Sequence, residues 1–129
     1  MKLLMKSTGF LKVFAVCASL SSVPAFAHTH LQDATPAKDS TVAEAPATVR
    51  LHFSEGLEVS MCKLEVKDSK TGHVVSDGKP TAPEENNLLQ VKLKPLKKEK
   101  TTYTVIWKAV SKDTHKMEGT YSFTYAPTK

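Results

Sequence analysis

The segment at residues 102–110, TYTVIWKAV, alternates apolar and polar side chains along most of its length. A period of two places every second side chain on one face of an extended chain, so this segment is predicted to be a β-strand with one buried face. Four further segments alternate in the same way and are rich in residues that strands favour. Their apolar positions run over Val49–Phe53, Cys62–Val66, Leu89–Leu93 and Tyr121–Tyr125.

Turn-forming residues separate these segments and indicate the fold class. Clusters of Pro, Gly, Asn, Asp and Ser occur at residues 36–40, 69–72, 77–78 and 83–87. Short strands at this spacing, without an internal repeat, are typical of a small β-sandwich. The sequence therefore predicts an all-β domain of about seven strands.

The first 27 residues have the layout of a secretory signal peptide. A start with three lysines is followed by the short apolar run Val13–Leu20, and Ala25–Ala27 offers the small residues of a cleavage site. A membrane anchor is the alternative, but a span needs roughly 20 apolar residues and Lys12 cuts this run short. We therefore expect export to the periplasm, cleavage after Ala27, and one domain at residues 28–129 that does not span the membrane.

Charge and cysteine content narrow the function of the expected mature chain. The full chain has 18 basic and 13 acidic residues, and loss of three lysines with residues 1–27 leaves 15 basic residues and a formal charge of +2. Such a small charge does not favour nucleic-acid binding. Cys17 leaves with the signal peptide, so Cys62 cannot form an intramolecular disulfide. Cys62 lies on the apolar face of its segment and is predicted to be a core residue rather than a Cu(I) ligand.

Two groups of residues carry metal-binding chemistry. The α-amine and imidazole of His28 at the expected new terminus can chelate one metal ion, although a frayed tail is the alternative interpretation. Asp113 and His115 lie two residues apart, and in an extended chain such residues face the same way. The alternative there is a polar loop in which Asp113 bonds its own backbone. Together the two groups offer three nitrogens and one oxygen, a set that suits Cu(II) better than Zn(II) or Mg(II).

The sequence also resembles the CopC-like family of periplasmic copper-resistance proteins over nearly all of the expected mature chain. The resemblance covers His28–Ser40, Val49–Gly56 and Tyr103–Gly119. Its most specific part is the run W-x-A-V-S-x-D-T-H at residues 107–115. A relationship to this family implies a Greek-key β-sandwich or barrel.

The same resemblance implies the ligands of a Cu(II) site. They are the amino-terminal residue and the Asp and His of the loop, which are His28, Asp113 and His115 in this sequence. His30 is then a possible outer or alternative ligand.

Methionine content indicates which oxidation state of copper is expected. Some members of the family carry a methionine-rich loop that binds Cu(I), an ion that prefers several soft sulfur ligands. After residue 27 this sequence has only Met61 and Met117, without an M-x-x-M pattern. We therefore expect a protein of the type that binds only Cu(II).

These observations favour a periplasmic carrier or buffer that holds Cu(II) as cargo in copper resistance or homeostasis, and not an enzyme. By resemblance, its partner is an inner-membrane copper permease or another periplasmic copper protein. One alternative is a metal-free immunoglobulin-like interaction module, which explains the strands but not His28 at the cleavage site. Another is a histidine-brace copper monooxygenase, but Asp113 would then occupy a position that oxygen chemistry needs open.

Overall fold

The computed structural model describes residues 30–129, which form two four-stranded β-sheets. A 3-10 helix at Val59–Met61 is the one helical element in this part of the chain, so no described helix could cross a membrane. In chain order the strands are β1 (Leu31–Thr35), β2 (Thr41–Val42), β3 (Thr48–Phe53), β4 (Lys63–Asp68), β5 (Ser76–Thr81), β6 (Leu88–Leu93), β7 (Thr101–Val110) and β8 (Lys116–Tyr125).

The strand order is that of an immunoglobulin-like sandwich. One sheet has the order β1-β3-β6-β5 and the other has the order β2-β8-β7-β4. Apart from the edge strand β2, this matches the two sheets of an immunoglobulin constant-type domain, with its Greek-key connections. The predicted all-β sandwich is confirmed.

The described residues form eight strands where about seven were predicted, and β1, β2 and β5 lie outside the five alternating segments of the sequence. Strand β5 includes residues 77–78, where a turn was expected. Strand β1 pairs antiparallel with β3, and the short strand β2 pairs parallel with β8 in the other sheet. Pro36, which follows a cis peptide bond, lies where the chain leaves the first sheet. Because a proline has no backbone N–H to donate to a strand ladder, it is a suitable residue at this change of sheet.

The core is formed by the strand faces that the period of two predicted. Alternate residues of β3, β4, β6, β7 and the second half of β8 point between the sheets and are buried, while their neighbours, apart from Val110, are half-buried or exposed. Cys62 is also buried, as predicted, and it lies immediately before β4 rather than within it. The buried cluster comprises Val49, Leu51, Phe53, Leu57, Cys62, Leu64, Val66, Val75, Leu89, Val91, Tyr103, Val105, Trp107, Ala109, Tyr121, Phe123 and Tyr125.

Trp107 closes one part of this core by packing on a glycine of the neighbouring strand. It is paired across the β7–β8 ladder with Gly119, and its ring makes a T-shaped contact with Phe53, with the centroids 5.2 Å apart. A Cβ atom on Gly119 would lie only 2.4 Å from the indole ring. A glycine is therefore needed at this position for the indole to lie against the backbone.

The β7–β8 hairpin positions the loop that contains Asp113 and His115. Its ladder is continuous from Thr101–Tyr125 to Val110–Lys116. The alternating segment of the sequence begins only at Tyr121, but β8 begins at Lys116. The connection is therefore a five-residue loop, residues 111–115, at the end of the two longest strands in the described chain.

Candidate metal site

The loop at residues 111–115 is closed by its own backbone. The Ser111 amide donates to the His115 carbonyl at 2.9 Å, and the Thr114 amide donates to the Ser111 carbonyl at 2.9 Å. Thr114 has a φ of +72°, in the left-handed region that a β-branched residue rarely adopts. The expectation of an extended chain here was wrong, because the chain reverses direction within these five residues.

This turn brings the side chains of Asp113 and His115 together. Their Oδ2 and Nδ1 atoms are 2.9 Å apart, and because an ionised carboxylate can only accept, the imidazole Nδ1–H is the donor. The side chains remain accessible, with 53% of Asp113 and 68% of His115 exposed. The pair therefore presents one oxygen and one nitrogen to solvent at a single point on the surface.

The Ser111 side chain forms hydrogen bonds to both residues of this pair. Its hydroxyl donates to Oδ1 of Asp113 and accepts a hydrogen bond from the His115 backbone amide at 3.1 Å. The Ser111 hydroxyl, followed by the His115 side chain, lowers the pKa of the Asp113 carboxyl below its usual value. Asp113 is thus held in its ionised form, which is the form that binds a metal ion.

Ser111 was absent from the residues predicted for the site, although the sequence contains a signal for it. The period of two that buries Trp107 and Ala109 continues to residue 111, so Ser111 falls on the buried face of the hairpin. A buried hydroxyl needs a hydrogen-bond partner, and the nearby acidic residue of the loop was the obvious candidate.

The loop is fastened to the chain segment that follows β3. The Lys112 amide donates to the Gly56 carbonyl at 3.0 Å, and Leu57 forms an isolated β-bridge with Ser111. One residue further, the Glu58 amide donates to the Val110 carbonyl at 2.8 Å. These contacts, all made by residues 110–112, fasten the first side of the loop to the segment that follows β3.

The same segment holds the beginning of the described chain. The amide of His30 donates to the Ser54 hydroxyl at 2.9 Å, and the Ser54 amide donates to the His30 carbonyl at 3.0 Å. His28 lies outside the described residues.

The described residues hold only part of the predicted ligand set. Among residues 30–129, no three His, Cys, Asp or Glu side chains are grouped so that they could hold a metal ion. The spacing of the two atoms nevertheless suits a metal ion, because two cis ligands at about 2.0 Å from a tetragonal ion are about 2.8 Å apart. Binding through Nδ1 of His115 requires that it first lose the proton that it donates to Asp113. A ligand set built on this pair needs further donors from outside it.

The sulfur of Cys62 lies under the base of the loop. It accepts a hydrogen bond from the Val110 amide at 3.4 Å and is 3.4 Å from the Glu58 carbonyl oxygen. Burial raises the pKa of the Cys62 thiol. A buried, protonated thiol is a poor metal ligand, because the thiolate is the form that binds.

His52 and Met61 occupy other parts of the surface. His52 in β3 is half-buried, and its Nε2 atom lies 3.0 Å from the side-chain nitrogen of Asn87. Met61 is exposed in the 3-10 helix. Met117, by contrast, is half-buried and packs against the core. The two methionines of the described chain therefore differ in environment.

Comparison with known proteins identifies the family. The family model described as "CopC domain" matches residues 31–126. The chain is 36% identical to Copper resistance protein C of Xanthomonas campestris pv. juglandis, over 86% of this chain and 90% of that protein. Among solved structures, CopC from Methylosinus trichosporium OB3b aligns with a TM-score of 0.67 and 31% identity, over 79% of this chain and 97% of that one.

A second solved structure gives a contrast in composition. PcoC from Escherichia coli, described as a methionine-rich copper resistance protein, aligns with a TM-score of 0.67 and 34% identity. The alignment covers 77% of this chain and 99% of PcoC. The extent of these matches, together with the sandwich and its W-x-A-V-S-x-D-T-H loop, shows that the chain belongs to the CopC domain family.

Proposed function

We propose that this chain is a periplasmic Cu(II)-binding protein that carries or buffers copper in resistance or homeostasis. The copper ion is cargo, held by the α-amine and imidazole of His28, the carboxylate of Asp113 and the imidazole of His115. His30 is a neighbour of this set and serves at most as an outer ligand. The domain begins at His28, after removal of residues 1–27 during export.

The observation that carries this proposal is the Asp113–His115 pair. Its oxygen and nitrogen are 2.9 Å apart, both side chains are exposed, and the surrounding loop fixes their positions. Both the loop and His30 are bonded to residues 54–58, so the chain that leads to His28 starts at the same end of the sandwich. The relatives add support, since two of them are named as copper resistance proteins.

The contrast with the methionine-rich relative supports the choice of Cu(II). Residues 28–129 contain two methionines, Met61 and Met117, and they lie far apart in the sequence. The donors gathered at the loop are oxygen and nitrogen, which Cu(II) prefers over Cu(I). Trp107 is buried, so it cannot supply the exposed aromatic surface of a polysaccharide monooxygenase. These points favour a binding protein whose partner is an inner-membrane copper permease or another periplasmic copper protein.

A pair of matched histidine substitutions tests the proposal. A histidine in third position of a free chain, here His30, can bind Cu(II) with the amine and two backbone amides, without any fold. His115→Ala should weaken Cu(II) binding by about 100-fold or more, since even second-shell changes at metal sites cost 10–100-fold. His30→Ala should change the affinity by less than about threefold. The measurement is a competition titration of processed protein, with the Cu(II) electron paramagnetic resonance spectrum recorded for each variant.

Unfolding also distinguishes the folded site from a local motif formed by His30 and the amino terminus. The proposed site draws ligands from residues about 85 positions apart in the sequence, so denaturant should abolish its spectrum, whereas the spectrum of a local motif at the amino terminus should survive. The proposal fails if His30→Ala removes binding while His115→Ala has no effect.

A further inference from the structure

Ser111 has an unusual position for a polar residue. Only 1% of it is exposed, and it is the one polar or charged residue that is buried in residues 30–129. The other side chains of its loop, from Lys112 to His115, are exposed. Its hydroxyl therefore lies between the apolar core and the candidate metal ligands.

The hydrogen bonds of this hydroxyl can be assigned from its chemistry. A serine hydroxyl has one proton to donate and two lone pairs that accept. The ionised Asp113 carboxylate can only accept, so the proton goes to its Oδ1 atom. The His115 amide, at 3.1 Å, then donates to the same oxygen, and the His115 carbonyl at 3.4 Å is left as the poorer acceptor.

One hydroxyl thus restrains both members of the pair. It fixes the Asp113 carboxylate by one oxygen, which leaves the other oxygen directed at the imidazole of His115. It also fixes the backbone from which that imidazole extends. Charge-assisted hydrogen bonds of this kind are among the stronger restraints that a side chain can provide.

We propose that Ser111 is a positioning residue of the copper site, which holds Asp113 and His115 in the arrangement that receives Cu(II) without touching the ion. The inference rests on the proposed function, since it assumes that these two residues are ligands. Without the hydroxyl, the carboxylate is free to rotate and the loop loses its buried anchor. The ion must then organise its own ligands, and its affinity falls.

Ser76 offers a matched control at the edge of the same sandwich. Its hydroxyl accepts a hydrogen bond from the Val66 amide at 3.1 Å, the same distance as the bond from the His115 amide to Ser111. Its environment differs in two respects: Ser76 is half-buried rather than buried, and no carboxylate is hydrogen-bonded to it among the described contacts. Ser76→Ala therefore removes a comparable backbone restraint without removing a contact to a candidate ligand.

The test compares Cu(II) affinity with stability in Ser111→Ala and Ser76→Ala. Both variants should shift the midpoint of urea unfolding of the metal-free protein. Only Ser111→Ala should also weaken Cu(II) binding, by about 10–100-fold, the range for outer-shell partners of metal ligands. In an Asp113→Ala background the Ser111→Ala change should cost less than about threefold, because no carboxylate is left to position. Ser111→Thr, which keeps the hydroxyl, should bind Cu(II) within about threefold of wild type.

The outcomes distinguish this inference from the proposed function. If His115→Ala does not change Cu(II) affinity, the proposed site itself is wrong, and the proposed role of Ser111 is then wrong as well. If His115→Ala abolishes binding but folded Ser111→Ala binds Cu(II) like wild type, only the role of Ser111 is refuted. The same conclusion follows if Ser111→Thr keeps its unfolding midpoint but loses affinity.

Discussion

Ser54 and His30 are joined by two hydrogen bonds, one from the Ser54 amide to the His30 carbonyl at 3.0 Å and one from the His30 amide to the Ser54 hydroxyl at 2.9 Å. Two residues further along, the Gly56 carbonyl accepts the amide of Lys112 in the 111–115 loop. The short segment 54–56 therefore fastens both the start of the described chain and the loop that holds Asp113. Residues far apart in the sequence are brought to one end of the sandwich by this segment.

The first prediction concerns the position of the amino terminus. If His28 chelates Cu(II) with its own amine, one extra glycine before it moves the amine out of the chelate ring. We expect such an extension to weaken Cu(II) binding by at least about tenfold, since a direct ligand should cost no less than an outer-shell partner. Competition titration measures the effect, and a glycine added after Lys129 is the control. Equal affinities for the extended and native chains would exclude the α-amine as a ligand.

Intact-mass spectrometry of exported material gives the companion measurement. The mass should correspond to a chain that begins at His28. A different first residue would remove the amine and imidazole of His28 from the ligand set.

The second prediction concerns Cu(I) and the buried thiol. Cys62 is enclosed beneath the loop, and burial raises the pKa of its thiol, so little thiolate is available to bind Cu(I). We expect no independent Cu(I) site in a competition titration, and no change in Cu(I) affinity on Cys62→Ser. Labelling with a thiol reagent should be slow in the folded protein and fast in urea. A Cu(I) site that disappears in Cys62→Ser would contradict this prediction.

Much of the fold could be predicted because each strand buries one face. Val49, Leu51 and Phe53 illustrate this, since a period of two in the sequence became a row of buried residues in β3. The start of β8 was missed for an equally physical reason. In β8 the inward position opposite Trp107 is Gly119. The indole of Trp107 occupies the space that a side chain at this position would fill, so the apolar pattern of the sequence is interrupted there.

The candidate site was predictable in composition but not in geometry. Asp113 and His115 were identified by residue type and spacing, and the structure places them together. The expected cause was an extended chain, whereas the observed cause is a tight turn with a positive φ at Thr114. A threonine does not indicate a positive φ, because steric clashes disfavour this conformation for a β-branched residue. The conformation of the turn therefore depends on tertiary contacts that the local sequence does not reveal.

The third prediction is a pH dependence at the opposite end of β7 from the loop. Asp68 accepts hydrogen bonds from the backbone amides of Lys70 and Thr71 at 2.8 and 3.2 Å, and these bonds lower the pKa of its carboxyl. Because the folded-state pKa lies below the unfolded value of about 3.9, the carboxylate stabilises the fold above about pH 4. This contribution is lost as the pH falls through the lower folded-state pKa.

Asp68→Asn tests this sign, since the amide keeps an acceptor oxygen but has no charge to lose. The difference in free energy of unfolding between wild type and Asp68→Asn should be largest near neutral pH and should shrink below about pH 4. Urea unfolding at a series of pH values measures it. Cu(II) affinity at pH 7 should stay unchanged, because Asp68 lies opposite Tyr103 in the β4–β7 ladder, far along β7 from Ser111. A constant energy difference across the pH series would show that the charge is not responsible.

The last prediction concerns the contact between Trp107 and Gly119 in the hairpin that carries the loop. A Cβ atom at position 119 would lie 2.4 Å from the indole ring, and the ring also makes a T-shaped contact with Phe53. Gly119→Ala should therefore lower the free energy of unfolding by about 1–3 kcal/mol, the usual range for overpacking. In a Trp107→Leu background, which removes the indole, the same change should cost at least about 1 kcal/mol less. Urea unfolding of the four proteins in this double-mutant cycle measures both values. An equal cost in both backgrounds would mean that backbone conformation, rather than the indole, requires glycine at this position.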